Sequence, residues 1–148
     1  QQQLASKSAM RYYYALVDGV VNKDEGVVRN FIDRSSKDRK LMAVSRNNSG
    51  REAITLYKVV ERFPNYTFME YELKTGRTHQ IRVHSKHMGH TVVGDKQYGG
   101  SNKFCLNGQL LHAHKLVLTH PRSGEIMTFS APLPNYFLQV LNALRGDK

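Results

Sequence analysis

Apolar and polar positions alternate with a period of two through most of the chain and follow a helical period in only two short stretches, so the pattern predicts strands joined by turns. Residues 11–18 read Arg-Tyr-Tyr-Tyr-Ala-Leu-Val-Asp and stop at Gly19. That predicts a strand with Tyr13, Ala15 and Val17 on one side and Tyr12, Tyr14 and Leu16 on the other. Residues 27–32 and 41–44 are two further short strands. Residues 53–63 and 66–73 form a predicted hairpin turned at Pro64-Asn65, where proline fixes φ and asparagine tolerates the second position. In its second arm Met69, Tyr71 and Leu73 alternate with Glu70, Glu72 and Lys74. Residues 110–119 and 126–131 make another hairpin around Arg122-Ser-Gly-Glu125, and Pro132 and Pro134 end it. The helical period returns at 135–144, a C-terminal helix burying Phe137, Val140, Leu141 and Leu144. Residues 1–10 have helix-compatible composition and read as the end of a helix begun upstream. The sum is an α+β domain, one largely antiparallel mixed sheet with few helices.

The other helical stretch follows the break at Thr75-Gly76. Thr78 is the expected N-cap, with a helix over 79–88 stopped by Gly89. At 100° per residue, Ile81, Ser85 and Met88 face the core while His79, Arg82 and Lys86 share the opposite, exposed side. The helix N-terminus beside Arg77 offers amides and a positive dipole end to a phosphate or carboxylate. From these residues alone, a solvated face that happens to be basic fits equally well.

Charge shifts that balance. The 148 residues carry a formal net charge of +10 with pI near 9.9, which calls for a polyanionic partner or an anionic membrane surface. No basic amphipathic helix of membrane type and no run long enough to span a bilayer occurs, so nucleic acid is favoured. The loops 34–40 and 46–51 are basic and turn-prone, and Arg34, Lys37, Arg39 and Lys40, with Lys86, are candidate contacts to an RNA backbone. The competing reading is solvated loops without a partner. The first ten residues show no secretory signal, and the one cysteine, Cys105, cannot form an internal disulfide, so a cytoplasmic setting is expected. His84, His87 and His90, and His112 with His114, have spacings worth testing for zinc, but no cysteine or carboxylate completes a set. No metal and no cofactor are expected. The chain opens at Gln1 without an initiator methionine, from which a longer translation product is expected.

The string Thr75-Gly-Arg-Thr-His-Gln-Ile-Arg-Val-His84, followed by Gly89-His90, Gly94-Asp95 and Tyr98-Gly99, resembles the signature of the RluA-type RNA pseudouridine synthases. Thr78 and Val83-His84 match this branch better than the related RsuA-type pattern. Residues 12–19, 49–63 and 111–121 are also similar to segments of that family, in the family's order. The stretch between Leu4 and Tyr13 is a few residues shorter than usual there.

The resemblance implies a pseudouridine synthase-like catalytic domain, cofactor-free, acting on ribosomal or transfer RNA, with a monomeric protein expected. It places the active-site tyrosine at Tyr13 and the arginine facing the catalytic aspartate at Arg82. It makes Ile81 and Leu111 apolar walls around the base, with Arg77, Thr78 and His79 on the substrate-binding side. A flipped uracil needs a stacking surface, a carboxylate, and a cation that keeps the carboxylate ionised. Family members carry that aspartate in a His-Arg-Leu-Asp segment upstream of the tyrosine strand. None of Asp18, Asp24, Asp33, Asp38 or Asp95 has that context, and Asp95 is expected to shape a turn. The chain is therefore expected to be the C-terminal portion of an incomplete catalytic domain, inactive alone, with Arg82 lacking its partner. The alternatives are a non-catalytic RNA-binding module of the same ancestry, or a ribosomal structural protein.

Overall fold

In the computed structural model, which describes residues 9–146, the period-two stretches become one antiparallel sheet of seven strands in the order β3-β2-β4-β5-β1-β6-β7. The strands are β1 (Met10–Asp18), β2 (Glu25–Arg34), β3 (Met42–Val44), β4 (Arg51–Arg62), β5 (Tyr66–Leu73), β6 (Leu111–Thr119) and β7 (Ile126–Ser130). Among the described residues, two α-helices, α1 (Gln80–His87) and α2 (Asn135–Leu144), and a 3-10 turn (Lys96–Tyr98) accompany the sheet. The hairpins β4–β5 and β6–β7 form as the turn residues predict. The α+β reading holds, and the C-terminal helix keeps its predicted limits. The helix expected over residues 1–10 lies mostly outside the described residues, but Met10 opens β1 and pairs with Val117, because the strand's hydrogen bonds to β6 extend that far.

β1 is central, and its alternation divides the core as the sequence implies. Leu16, with Tyr14 packed beside it, meets Phe68, Val93 and Leu110 under α2, which contributes Phe137, Val140 and Leu141. Ala15 and Val17, with Tyr13 beside them, meet Met69, Tyr71, Leu73 and Ile81 on the other face, under α1. A one-residue slip would exchange these two faces, so the register of β1 against β5, Tyr13 opposite Tyr71, is fixed by both helices at once. A bulge in the β1–β6 ladder at Tyr12/Tyr13 lets His114 stack on Tyr14 at 3.7 Å between centroids. No described helix is long and apolar enough to cross a membrane.

Candidate active site

α1 begins one residue later than predicted and is capped differently. Thr78 is exposed and makes no cap; His79 occupies the N-cap position in left-handed conformation at φ 54°, without a side-chain cap. The reason is Gln80, whose Oε1 accepts hydrogen bonds from the Arg77 amide (2.9 Å) and the Thr75 hydroxyl (2.8 Å). A buried amide side chain thus takes up the turn that a threonine cap would otherwise serve. The Gln80 Nε2 donates to the Ile54 carbonyl at 3.0 Å and to Thr55 Oγ1 at 2.8 Å, tying the helix start to β4. Gly89, at φ 83°, ends the helix where expected.

The expected division of α1 into a buried and an exposed side holds for Ile81 and Ser85, which are buried, and for Lys86, which is exposed. It fails at Arg82. Its residue is only 8 % exposed, since β3 and the 95–98 segment cover the side of α1 that a lone helix would show to solvent. The guanidinium meets Asp95 in a two-pronged ion pair, Nε to Oδ2 and Nη2 to Oδ1 both at 2.8 Å, and Nη2 also donates to Gln97 Oε1 at 2.7 Å. Its carbon centre lies 4.9 Å above the Tyr98 ring. The cation expected to lack a partner therefore has one within the chain, and the aspartate expected only to shape a turn is a fully buried counterion. The pairing with Asp95 outweighs burial and raises the guanidinium's pKa. Among the described residues, the side-chain hydrogen bonds and ring contact of Arg82 go to residues 95–98, and none to Tyr13.

Tyr98 also receives the Met42 amide on its hydroxyl at 2.9 Å and lies 2.7 Å from His79 Nδ1. Burial, followed by the nearby Arg82 charge, lowers the His79 pKa, so a neutral ring accepting the phenol proton fits this arrangement. Behind it, His84 is fully buried between Thr55 Oγ1 at 2.7 Å and Asn30 Oδ1 at 2.8 Å. Since Asn30 offers an oxygen, the His84 proton belongs on Nε2; Nδ1 then accepts from Thr55, which accepts from Gln80. Desolvation, with His87 adding to it, lowers His84 to about 4.

Of the other predicted residues, Ile81 is buried in the hydrophobic cluster under α1, and Tyr13 of β1 and Leu111 of β6 pack against that same cluster. Arg77 donates from Nε to the Glu52 carbonyl at 2.7 Å, and burial, with Arg51 nearby, lowers its pKa. Arg34, Lys37 and Lys86 line one groove of about 640 Å³, which Arg46 joins, whereas Arg39 and Lys40 lie outside that lining. Of the other histidines weighed for zinc, His90 contacts the Asp18 carbonyl, His112 the Ala131 carbonyl, and His114 contacts Glu70 at 2.7 Å. Among the described residues no group of three or more potential ligands converges.

Sequence reasoning passed over Asp95, Gln97, Tyr98, Gln80, Thr55 and Asn30. The available signal was Gly94-Asp95 with Tyr98-Gly99, quoted as a motif but not connected to Arg82 across the intervening loop.

A sequence model described as RNA pseudouridylate synthase matches residues 1–87. The chain belongs to that family. An RNA pseudouridine synthase of Bacillus subtilis, YlyB, is 44% identical over 145 residues, 98% of this chain and 47% of that protein. The ribosomal large subunit pseudouridine synthase D of Haemophilus influenzae is 40% identical over 157 residues, 97% of this chain and 48% of its own. The chain thus spans about half the length of the curated relatives it matches. The solved structure of human RNA pseudouridylate synthase domain containing 4 superposes with a TM-score of 0.77 over 98% of this chain and 66% of that one, at 24% identity, which shows a shared pseudouridylate synthase fold.

Proposed function

We propose that this chain is the C-terminal portion of the catalytic domain of an RluA-type RNA pseudouridine synthase. It supplies the base-holding wall and the supporting cation for converting uridine to pseudouridine in ribosomal or transfer RNA. The observation that carries this reading is the convergence of Tyr13, Ile81 and Leu111, from three separate elements, on one hydrophobic cluster in a chain of this family. An extruded uracil needs a flat, dry surface, and Tyr13 supplies a ring while Ile81 and Leu111 exclude water. Arg82 is held by Asp95 through Nε and Nη2, so an incoming carboxylate would find Nη1. That carboxylate, which attacks or stabilises the sugar or base during glycosidic cleavage, belongs to a segment outside this chain. The chain alone is therefore inactive. Arg34, Lys37, Arg46 and Lys86 hold RNA phosphates along their groove, which supplies affinity and salt dependence without reading sequence.

The test is pseudouridine mapping in RNA incubated with the full-length protein and with this chain alone. Full-length protein converts uridine; the chain does not. Tyr13→Ala loses more activity than Tyr13→Phe, because base stacking is worth about 1–3 kcal/mol and survives in phenylalanine. Arg82→Lys keeps a charge but loses the fork, and turnover falls while RNA affinity remains. Wild-type turnover in Arg82→Lys would remove Arg82 from the reaction. The internal neutralisation of Arg82 by Asp95 also suits a second reading, a binding module without chemistry, and a full-length protein that binds RNA but makes no pseudouridine would establish it.

A further inference from the structure

Among the described residues, one buried side-chain donor lacks an acceptor: Nε of Arg11. No ion pair engages its guanidinium among those residues either. Arg11 is half-buried, and its Nε has lost water without gaining a protein acceptor, so the retention of this cation calls for an anion that uses it.

The position of Arg11 says which anion. It stands two residues before Tyr13 on the same side of β1, opposite Leu73 of β5 and Leu116 of β6. Its guanidinium reaches across the end of β5 to the turn before α1, where a Cβ at Gly76 would lie only 2.5 Å from Nη1. Glycine leaves the room the guanidinium occupies. The next residue, Arg77, sends its Nε to the Glu52 carbonyl of β4, on the far side of β5 from β1, so the guanidinium over this turn is that of Arg11. Arg11 and Tyr13 also line an apolar cleft of about 380 Å³ with Ala113, Leu116, Phe129 and Ala131. Phe129, half of whose surface is open (54 %), and Leu116 pair across the β6–β7 ladder on this side. An aromatic, apolar floor edged by a guanidinium matches a nucleotide, with its base on the floor and its phosphate at the edge.

We infer that Arg11, lying over Gly76, forms a phosphate subsite that grips the RNA strand at the nucleotide resting on Tyr13. This rests on the proposed RNA chemistry of the Tyr13 wall. Arg11 is thereby a substrate-binding residue, and its work is to hold the backbone in register with the base.

The experiment titrates the full-length protein with a fluorescein-labelled stem–loop RNA carrying loop uridines, across a salt series, and follows pseudouridine formation in the same RNA. Arg11→Gln weakens binding about tenfold. It also lowers the slope of log affinity against log salt by about 0.7 to 0.9, the worth of one phosphate contact. Arg11→Lys, which keeps the charge, retains the slope with a smaller loss of affinity. Circular dichroism checks folding, and if Arg11→Gln does not fold, Arg11→Met, which keeps the aliphatic stem, carries the same two readouts. An unchanged salt slope in the folded, uncharged variant overturns the subsite. Loss of turnover at unchanged slope does so as well, because the arginine would then serve a protein carboxylate. If wild-type protein binds RNA without modifying it, the enzymatic reading fails while the slope still decides the subsite. If it does not bind RNA, both fail.

Discussion

The two faces of the sheet are built from different materials. Under α2, Leu16, Phe63, Phe68, Val93, Leu110, Phe137, Val140 and Leu141 form an apolar core, with the His114–Glu70 pair at its margin beside Tyr14. Under α1, in a helix of only eight residues, Gln80, Arg82, His84 and Ser85 are all buried, and each hydrogen-bonds to a residue outside the helix. Tyr71 joins them, its hydroxyl 2.8 Å from Ser85 Oγ. Apolar packing is non-directional and tolerates substitution of similar volume, whereas a buried polar layer holds its members only in one arrangement. The contrast teaches that the α1 face exchanges tolerance for precision, and that is the face presenting Tyr13, Ile81 and Leu111.

The sharpest way to break the comparison is Asp95→Ala. It strands the Arg82 charge in the interior and should cost about 3–5 kcal/mol in denaturant unfolding. Replacing both partners with apolar residues, Arg82→Met with Asp95→Leu, should recover most of that loss. If Asp95→Ala costs no more than an exposed substitution, the two faces do not differ as described.

Acid separates the faces next. His84 takes a proton near its ordinary pKa of 6.5 when unfolded, but only at about 4 when folded. Its contribution is therefore full above pH 6.5 and declines as pH falls from 6.5 toward 4, by about 3 kcal/mol in all. His84→Gln should flatten that part of the stability–pH profile, whereas Phe137→Leu should lower the curve without changing its shape. A profile whose slope between pH 4 and 6.5 survives His84→Gln would place the titrating group elsewhere.

A smaller effect is expected from Tyr71→Phe, which leaves the Ser85 hydroxyl without its partner and should lower stability by about 1–2 kcal/mol. Smallest is Arg29→Ala. It removes an ion pair with Glu52 that stands largely in solvent and should change unfolding free energy by less than about 0.5 kcal/mol.

The reach of sequence reasoning followed the same division. The face under α2 could be read directly, because Tyr14, Leu16, Phe68, Phe137, Val140 and Leu141 occur at strand and helix periods that state which side they bury. On the α1 face, periodicity placed Ile81 and Ser85 inside and located Tyr13, but put Arg82 in solvent. A helical wheel assumes one buried side, and α1 is covered on two.

What the sequence alone determined, then, was the set of elements, the two-sided alternation of β1, the basic character of the loops and the family signature. All of these are local in the chain, where propensity, period and turn chemistry act over a few residues. Tertiary structure decided the partners: Asp95 on Arg82 across thirteen residues, Asn30 on His84 across fifty-four, and Arg11 laid over Gly76. Burial makes each polar group require a matching one, and which group answers is fixed by the order of strands in the sheet rather than by any neighbour in sequence.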